Sequence, residues 1–402
     1  MHVQEHVQEH VRRGPRAGGT LPPRPARGPC PAAGYGDLGP SGPPGGGGRQ
    51  AAASTQRQRK AGAMTTTGRI TVVGESLVDL VWRTGAGTVT PHPGGSPANV
   101  AIGLQRLGVP VSLITAWGDD APGALVGEYL AGTGLDVLRA PACSGRTMVA
   151  LAYVDDATGS ARYDFLAAWD PERLEVPEDT ALLHTGSLAA VVEPGAGRVL
   201  DACRRLHGRP GTAVAVDLNV RPAVQPDRDA YRAAAERIAR AADVVKASEE
   251  DLAWLYPGQD PARSARSLLA LGPRLAVLTR GERGATGFTA GAEVPVPAPV
   301  TAVADTIGAG DAFQSALLAA MFAPGPGGAR TVRIPAAPQE VAQALRQAVA
   351  AGALATTRPG AQPPHLRELR DALAEADTAA PAVGTGTHPT RDGGAQDGVK
   401  NA

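Results

Sequence analysis

TAVAVDLNVRPAVQPDRDAYRAAAERIARAADVVKAS, residues 212–248, holds in one stretch the pattern that sets the fold class. TAVAVDLN is a short run of β-formers ending in polar residues. DAYRAAAERIARAA has helical texture, and DVVKAS is again a strand. The alternation continues through a helical RSARSLLALG (263–272) into a strand RLAVLTRG (274–281). Upstream, RITVVGESLVDLVW (69–82) reads as a strand, Gly-Glu-Ser and a second short apolar run. SPANVAIGLQRLG (96–108) is helical, with Ser96 as its cap and Pro97 in its first turn. VPVSLITAWG (109–118) is a buried strand, and ALVGEYLAGTG (124–134) a helix closed by Gly. Strands separated by helices of about ten to fifteen residues predict an α/β fold whose mostly parallel sheet is covered on both faces. RTMVALAYVDDATGSARYDFLA (146–167) departs from this: two alternating runs around DDATGS predict an antiparallel hairpin. With the strand-like residues 78–90, it predicts a small β flap. Two further helices are expected in EVAQALRQAVAAGALATT (340–357) and PPHLRELRDALAEA (363–376).

The two ends differ from this core. Residues 1–66 are rich in Gly, Pro, Arg and Gln, with too little apolar area to offset the entropy of ordering, and are expected to be disordered. Met64 precedes TTTGRITVVGE, so an over-long start is the simplest reading of that leader. Residues 378–402 read as a disordered tail. Residues 1–60 carry nine Lys or Arg against three Asp or Glu, while the whole chain of 402 residues has a formal net charge of 0. The folded part is therefore mildly acidic, a poor match for a nucleic-acid binder. Cys30, Cys143 and Cys203 lie far apart, without pairing or metal-ligand spacing, which predicts a reducing compartment and a cytoplasmic protein. No apolar run is long enough for a membrane span.

The chemistry is concentrated in four places. TIGAGDAF (306–313) precedes the helical FQSALLAAMFA, which puts Gly308, Ala309 and Gly310 at a helix N-terminus. There, unpaired N–H groups and the helix dipole favour an anion such as phosphate. Asp311 would stand beside that phosphate, where a carboxylate makes sense as a general base; the same residue also fits a cap of its own helix. In PGGSPANVA (93–101), Gly94 and Gly95 allow close approach and Asn99 offers a donor and an acceptor; this suits a polyhydroxylated ligand or a capped turn. Asp79, after the first strand, and Asp217, Asn219 and Arg221 at a later strand end occupy the crevice side of a parallel sheet. VKASEEDL, with Lys246, Ser248, Glu249, Glu250 and Asp251, is a third strand end, and acidic groups there suggest Mg²⁺. TRGERGA supplies Thr279, Gly281 and Gly284 at a fourth, suited to nucleotide phosphates. His184 in LLHTGSLA reads as a pocket or structural residue. The chain contains no P-loop motif, no dinucleotide fingerprint and no zinc pattern.

Taken together, Gly94–Gly95 with Asn99 and DTIGAGDAF at 305–313, with GE…D before them and D-x-N-x-R between, resemble the ribokinase-like, or PfkB, carbohydrate kinases over roughly residues 69–375. The resemblance implies a three-layer αβα sandwich with a mostly parallel central sheet and a small β-strand lid. It places a kinase domain at 67–377, with the lid formed by about 78–93 and 144–168. It further implies ATP-dependent phosphorylation of a sugar hydroxyl, with Asp311 as base and Gly308, Ala309 and Gly310 as the anion hole. Asp79, Gly94, Gly95 and Asn99, with Arg162 from the lid, would hold the sugar. Lys246, Thr279, Gly281, Gly284 and Gly310 would lie along ATP. The family's NxxE element falls on Ser248–Asp251 with both ends changed, so Glu250 and Asp251 would meet Mg²⁺ through water. Asp305 and Gly360 would flank a monovalent cation such as K⁺. SPANVAIGLQRLGVPV, ARYDF, VDLNVRPA and VKASEEDLAWL look most like bacterial fructokinases. Ribokinase, 2-keto-3-deoxygluconate kinase and nucleoside kinase stand as alternatives, with a catalytically silent sugar-binding protein outside enzymology. A homodimer paired through the lid is the expected assembly.

Overall fold

The computed structural model describes residues 68–379 except 84, 86, 156–160, 167 and 325–329. Strand β1 (Arg69–Val73) passes through Gly74–Ser76 into β2 (Leu77–Arg83) and β3 (Val89–Gly94), and the chain then enters α1 (Ser96–Arg106). β4 (Val111–Thr115), α2 (Ala121–Thr133) and β5 (Asp136–Arg139) follow, then β6 (Met148–Val154) and β7 (Ala161–Leu166). Strand and helix next alternate: β8 (Thr180–Gly186), α3 (Gly195–Leu206), β9 (Ala213–Asp217), α4 (Arg228–Ala239), β10 (Val244–Ser248), α5 (Glu249–Leu255), α6 (Pro261–Leu269) and β11 (Leu275–Thr279). The remainder is β12 (Ala285–Thr289), β13 (Ala292–Val296), α7 (Ala309–Met321), β14 (Phe322–Pro324), β15 (Arg330–Val332), α8 (Pro338–Thr356) and α9 (Leu366–Ala379).

The main sheet has nine strands in the order β13-β12-β11-β10-β9-β8-β1-β4-β5. All neighbours from β11 to β5 pair parallel, and β12 and β13 add an antiparallel edge. Strand alternation divides the core in two. Ala213 and Ala215 of β9 pack into one layer with residues of α1, α7 and α8, while Val214 and Val216 pack into the other with residues of α3, α4 and α6. The chain leaves β1 toward β4 and β5, then returns to build β8 to β11 on the other side. Strand order therefore reverses between β1 and β8, and a ligand crevice belongs outside the carboxyl ends there.

A second sheet, β3-β2-β6-β7, stands apart from the first. Its β6 and β7 form the expected antiparallel hairpin, whose turn lies outside the described residues, and β2 pairs parallel with β6. The crossing at Gly74–Ser76 is buried and pinned. Glu75 Oε2 accepts the Ala189 N–H at 3.0 Å, and the Thr115 hydroxyl donates to Ser76 Oγ at 2.9 Å. Burial pushes the Glu75 carboxyl up to about 7, with four local hydrogen bonds opposing the rise.

Several expectations need correcting. TAVAD, read as β-like, forms no strand: Val300, Val303 and Ile307 are exposed, and the Ala304 and Asp305 N–H groups both bond Thr356 O at the end of α8. The segment thus satisfies its main chain against a helix terminus instead of a ladder. SEEDLAWL makes the short helix α5, opened by a reciprocal Ser248–Asp251 capping box. The β12–β13 hairpin had not been anticipated. Helix α9 reaches Ala379, two residues into the expected tail, and the expectations for the leader and the rest of the tail lie outside the described residues. Cys203 is buried and free, as expected for a structural thiol. Among the described residues no helix is long and apolar enough to cross a membrane.

Candidate active site

The first turns of α1 and α7 meet at the crevice. Asp311 Oδ1 accepts the Ser96 hydroxyl at 2.6 Å, and its Oδ2 accepts Asn99 Nδ2 at 2.8 Å. Two motifs more than two hundred residues apart in sequence are thus joined at one carboxylate. Ser96 is not the helix cap: Gly95 holds that position, and Ser96 is the first helical residue, which frees its hydroxyl for Asp311. Gly95 is required there, because its φ is 117° and a Cβ would lie 2.6 Å from Glu75 O. Helical geometry leaves the Gly310 and Asp311 N–H groups without an acceptor in α7. The Ala309 N–H is taken by Thr306 O at 3.2 Å, which weakens its place among the expected anion-hole donors.

The small sheet supplies the opposite wall. Asp79 lies within β2, the strand that follows β1, and stands across from His92 of β3. A Cβ at Gly94 would lie 3.3 Å from Asp79 Oδ2, so the glycine leaves this carboxylate uncovered. Burial pushes the Asp79 carboxyl up to about 6, with the charges of His92 and Arg221 opposing the rise. Arg162 is misplaced for the role expected of it. Asp79, Ala150 and Phe165 share one row of the sheet, and Arg162, three residues from Phe165, faces the other side. There its guanidinium lies 4.7 Å from the Tyr153 ring centroid.

Beneath α7 lies a buried polar floor. Lys246 Nζ donates to Asp217 Oδ2 at 2.6 Å, with side chains 5% and 3% exposed. A lysine this enclosed does not reach out to a nucleotide, which corrects its assignment to the ATP phosphates. Burial pushes the Asp217 carboxyl up to about 6, against the pull of the Lys246 ammonium. Removing one partner of such a pair typically costs about 3–5 kcal/mol, since the other is left buried and charged. His184 is buried beside them; burial drives its imidazole down to about 3, and its Nδ1 lies 3.1 Å from Ala215 O. It is a neutral structural group.

The remaining expected residues divide. Asp251 is buried, and its oxygens accept the Val220 and Ser248 N–H groups at 2.7 and 2.8 Å. It caps α5 and has no open side for Mg²⁺, whereas Glu250 is exposed. No group of three His, Cys, Asp or Glu among the described residues could hold a metal. Thr279 and Gly281 lie at the end of β11, half-buried and exposed, but Gly284 is buried against the main chain of Val296–Ala298 and offers no face to a nucleotide. Asp305 and Gly360 do come together: Asp305 Oδ2 accepts the Gly360 N–H at 2.8 Å, and its Oδ1 accepts that of Ile307 at 3.0 Å.

A pfkB family carbohydrate kinase profile matches residues 67–368. A fructokinase of Klebsiella pneumoniae is 34% identical over 318 residues, covering 76% of this chain and 99% of that protein. Among solved structures, aminoimidazole riboside kinase from Salmonella enterica, complexed with aminoimidazole riboside and an ATP analogue, superposes with a TM-score of 0.63 at 26% identity, covering 76% of this chain and 99% of that one. A double mutant of fructokinase from Vibrio cholerae O395, bound to fructose, ADP and potassium ion, gives 0.61 at 25% identity, covering 77% and 98%.

Proposed function

The chain belongs to the pfkB family of carbohydrate kinases and is an ATP-dependent sugar kinase, and we propose that its acceptor is fructose, phosphorylated on a primary hydroxyl with Asp311 as general base. The observation that carries the proposal is the clamp on Asp311, which aims a carboxylate from the first turn of α7 under fixed geometry. A silent sugar-binding protein has no use for it. The fructokinase relatives favour fructose over ribose and 2-keto-3-deoxygluconate, while the aminoimidazole riboside kinase neighbour keeps a nucleoside-like acceptor as the second reading.

In this proposal the acceptor lies between Asp79 and Asn99, with Gly94 and Gly95 allowing close approach. The hydroxyl oxygen attacks the γ-phosphorus of ATP, and its proton passes to Asp311. A new O–P bond forms as the bond to the β–γ bridging oxygen breaks, and ADP leaves with that oxygen. Main-chain N–H groups in the Gly308–Asp311 turn hold the charge on the transferring group, where preorganised donors contribute most. Thr279 and Gly281 lie on the nucleotide side. The donor set described above does not fit a protein-held Mg²⁺, so no step is assigned to one. Asp305 is half-buried and keeps lone pairs beyond its two main-chain bonds, which supports a monovalent cation beside Gly360. The exposed Trp82 and Leu166 on the outer face of the small sheet support a homodimer. ATP as donor supports a cytoplasmic setting.

The test is ATP-coupled ADP release by the full chain with fructose, ribose, 2-keto-3-deoxygluconate, adenosine and no acceptor. Release confined to fructose supports the assignment; a preference for another acceptor overturns it. Asp79 adds a pH dependence. Its ionised form is the stronger acceptor of hydroxyl hydrogen bonds, so KM for the acceptor should fall as pH rises through about 6 and then level off. Asp79→Asn should raise KM and flatten that profile. The sign for stability is opposite: the folded state holds this proton more tightly, so Asp79 makes folding less favourable as pH rises from 3.8 to about 6.

A further inference from the structure

His184, Asp217 and Lys246 come from β8, β9 and β10, three neighbouring parallel strands. Lys246 pairs in register with Asp217, and each lies in alternation with residues packed toward α7 and α8. Gln314 of α7 meets them from above, its Nε2 3.5 Å from His184 Nδ1. A Cβ at Gly310 would lie 3.6 Å from Lys246 Nζ, so the ammonium sits directly behind the first turn of α7.

This placement is poor design for stability. The N-terminus of a helix carries partial positive charge, and a cation beneath it is repelled. Burial adds a desolvation penalty that the partner carboxylate only partly offsets. The surrounding polar atoms are not all satisfied either: Asp217 Oδ1 and Gln314 Oε1 are buried without a protein partner. Local rules broken together in this way point to function. A buried cation behind an anion-holding turn has one clear use, which is to strengthen the positive potential where the phosphoryl charge gathers. Asp217 prevents the side chain from swinging out to grip ground-state phosphates, an interaction that would tighten binding without raising turnover.

We propose that Lys246, fixed by Asp217, is a positioning residue for phosphoryl transfer: a buried cation that acts through the Gly310 turn and touches no ligand. The proposal rests on the reading of that turn as the anion hole and of Asp311 as base. Three forms of the full chain separate it from a structural role: wild type, Asp217→Asn, and the neutral double variant Asp217→Asn with Lys246→Met. Thermal unfolding and steady-state kinetics are measured on each, with ATP and fructose or whichever acceptor ADP release identifies. D217N keeps the ammonium and an acceptor for it but removes its counter-charge, so it should be the least stable of the three. It should nevertheless turn over faster than the double variant. The folded double variant should lose at least about tenfold in kcat, with KM for ATP and acceptor within about threefold of wild type. A folded double variant within about twofold of wild-type kcat overturns the proposal, as does activity that simply follows stability across the series. Full turnover in D311N would instead overturn the reading of Asp311 on which the proposal rests.

Discussion

Replacing Asp311 by Asn is expected to lower turnover by about 10²–10⁴-fold while KM for ATP stays close to wild type. The clamp makes this substitution unusually clean. The introduced amide has the same shape as the carboxylate, its oxygen can accept from Asn99 Nδ2, and its NH₂ can donate to Ser96 Oγ. A serine hydroxyl accepts as readily as it donates, so both contacts survive. Only the capacity to take a proton is lost. D311A is a poorer test, because it removes both contacts and leaves two half-buried polar groups to find other partners. The check is kcat and KM for both substrates on D311N, with a melting curve to exclude loss of fold. Turnover within about fivefold of wild type would show that the acceptor is deprotonated elsewhere, and Asp311 would be left with the structural role of joining α1 to α7; it is no cap of its own helix, since Gly308 holds that position.

The alternation at residues 212–281 revealed the layered sheet because parallel strands buried on both faces must be short, apolar and separated by helices. The GAGD and GGSPAN segments were also visible, since each joins glycines at a helix start to a polar side chain, Asp311 or Asn99, in the first turns. Their relation was not. Ser96 looks like a cap because Pro follows it, yet the helix begins one residue earlier and the hydroxyl turns to a carboxylate from the far end of the chain. The family resemblance set Lys246 along ATP, without regard to what packs around it. Its burial depends on the pairing of β9 with β10, which brings Asp217 alongside it; these strands are joined through α4, so no hairpin turn reveals their register. Arg162 failed for the same reason. Its strand was read correctly, but which face it shares with Asp79 depends on register through two intervening strand pairs. Asp251 shows the complementary case, in which the capping box was present in SEED and a metal role was read in its place.

Replacing Gly308 by Val is expected to lower turnover by about 10²–10³-fold, the range seen when one donor to a developing oxyanion is lost. Gly308 caps α7 in the left-handed conformation, with φ at 75° and ψ at 1°. A β-branched residue there is a true outlier, and a non-glycine residue so held costs about 1–3 kcal/mol. Space is lacking as well. A Cβ would lie 2.7 Å from both Cα and Cβ of Ala361, and main-chain atoms cannot escape by changing rotamer. Either the turn or the 360–361 loop must move, and the loop is tied to Asp305 through the Gly360 N–H. The substitution therefore displaces the N–H groups of the turn and strains the candidate cation site together. Acceptor KM should change less than kcat, because Asp79 is carried by the other sheet and approaches from the opposite wall. Measuring kcat, both KM values and thermal unfolding on G308V tests this. A variant that melts lower yet keeps kcat within about tenfold of wild type would mean that the turn is structural and that the transferring charge is held by other donors.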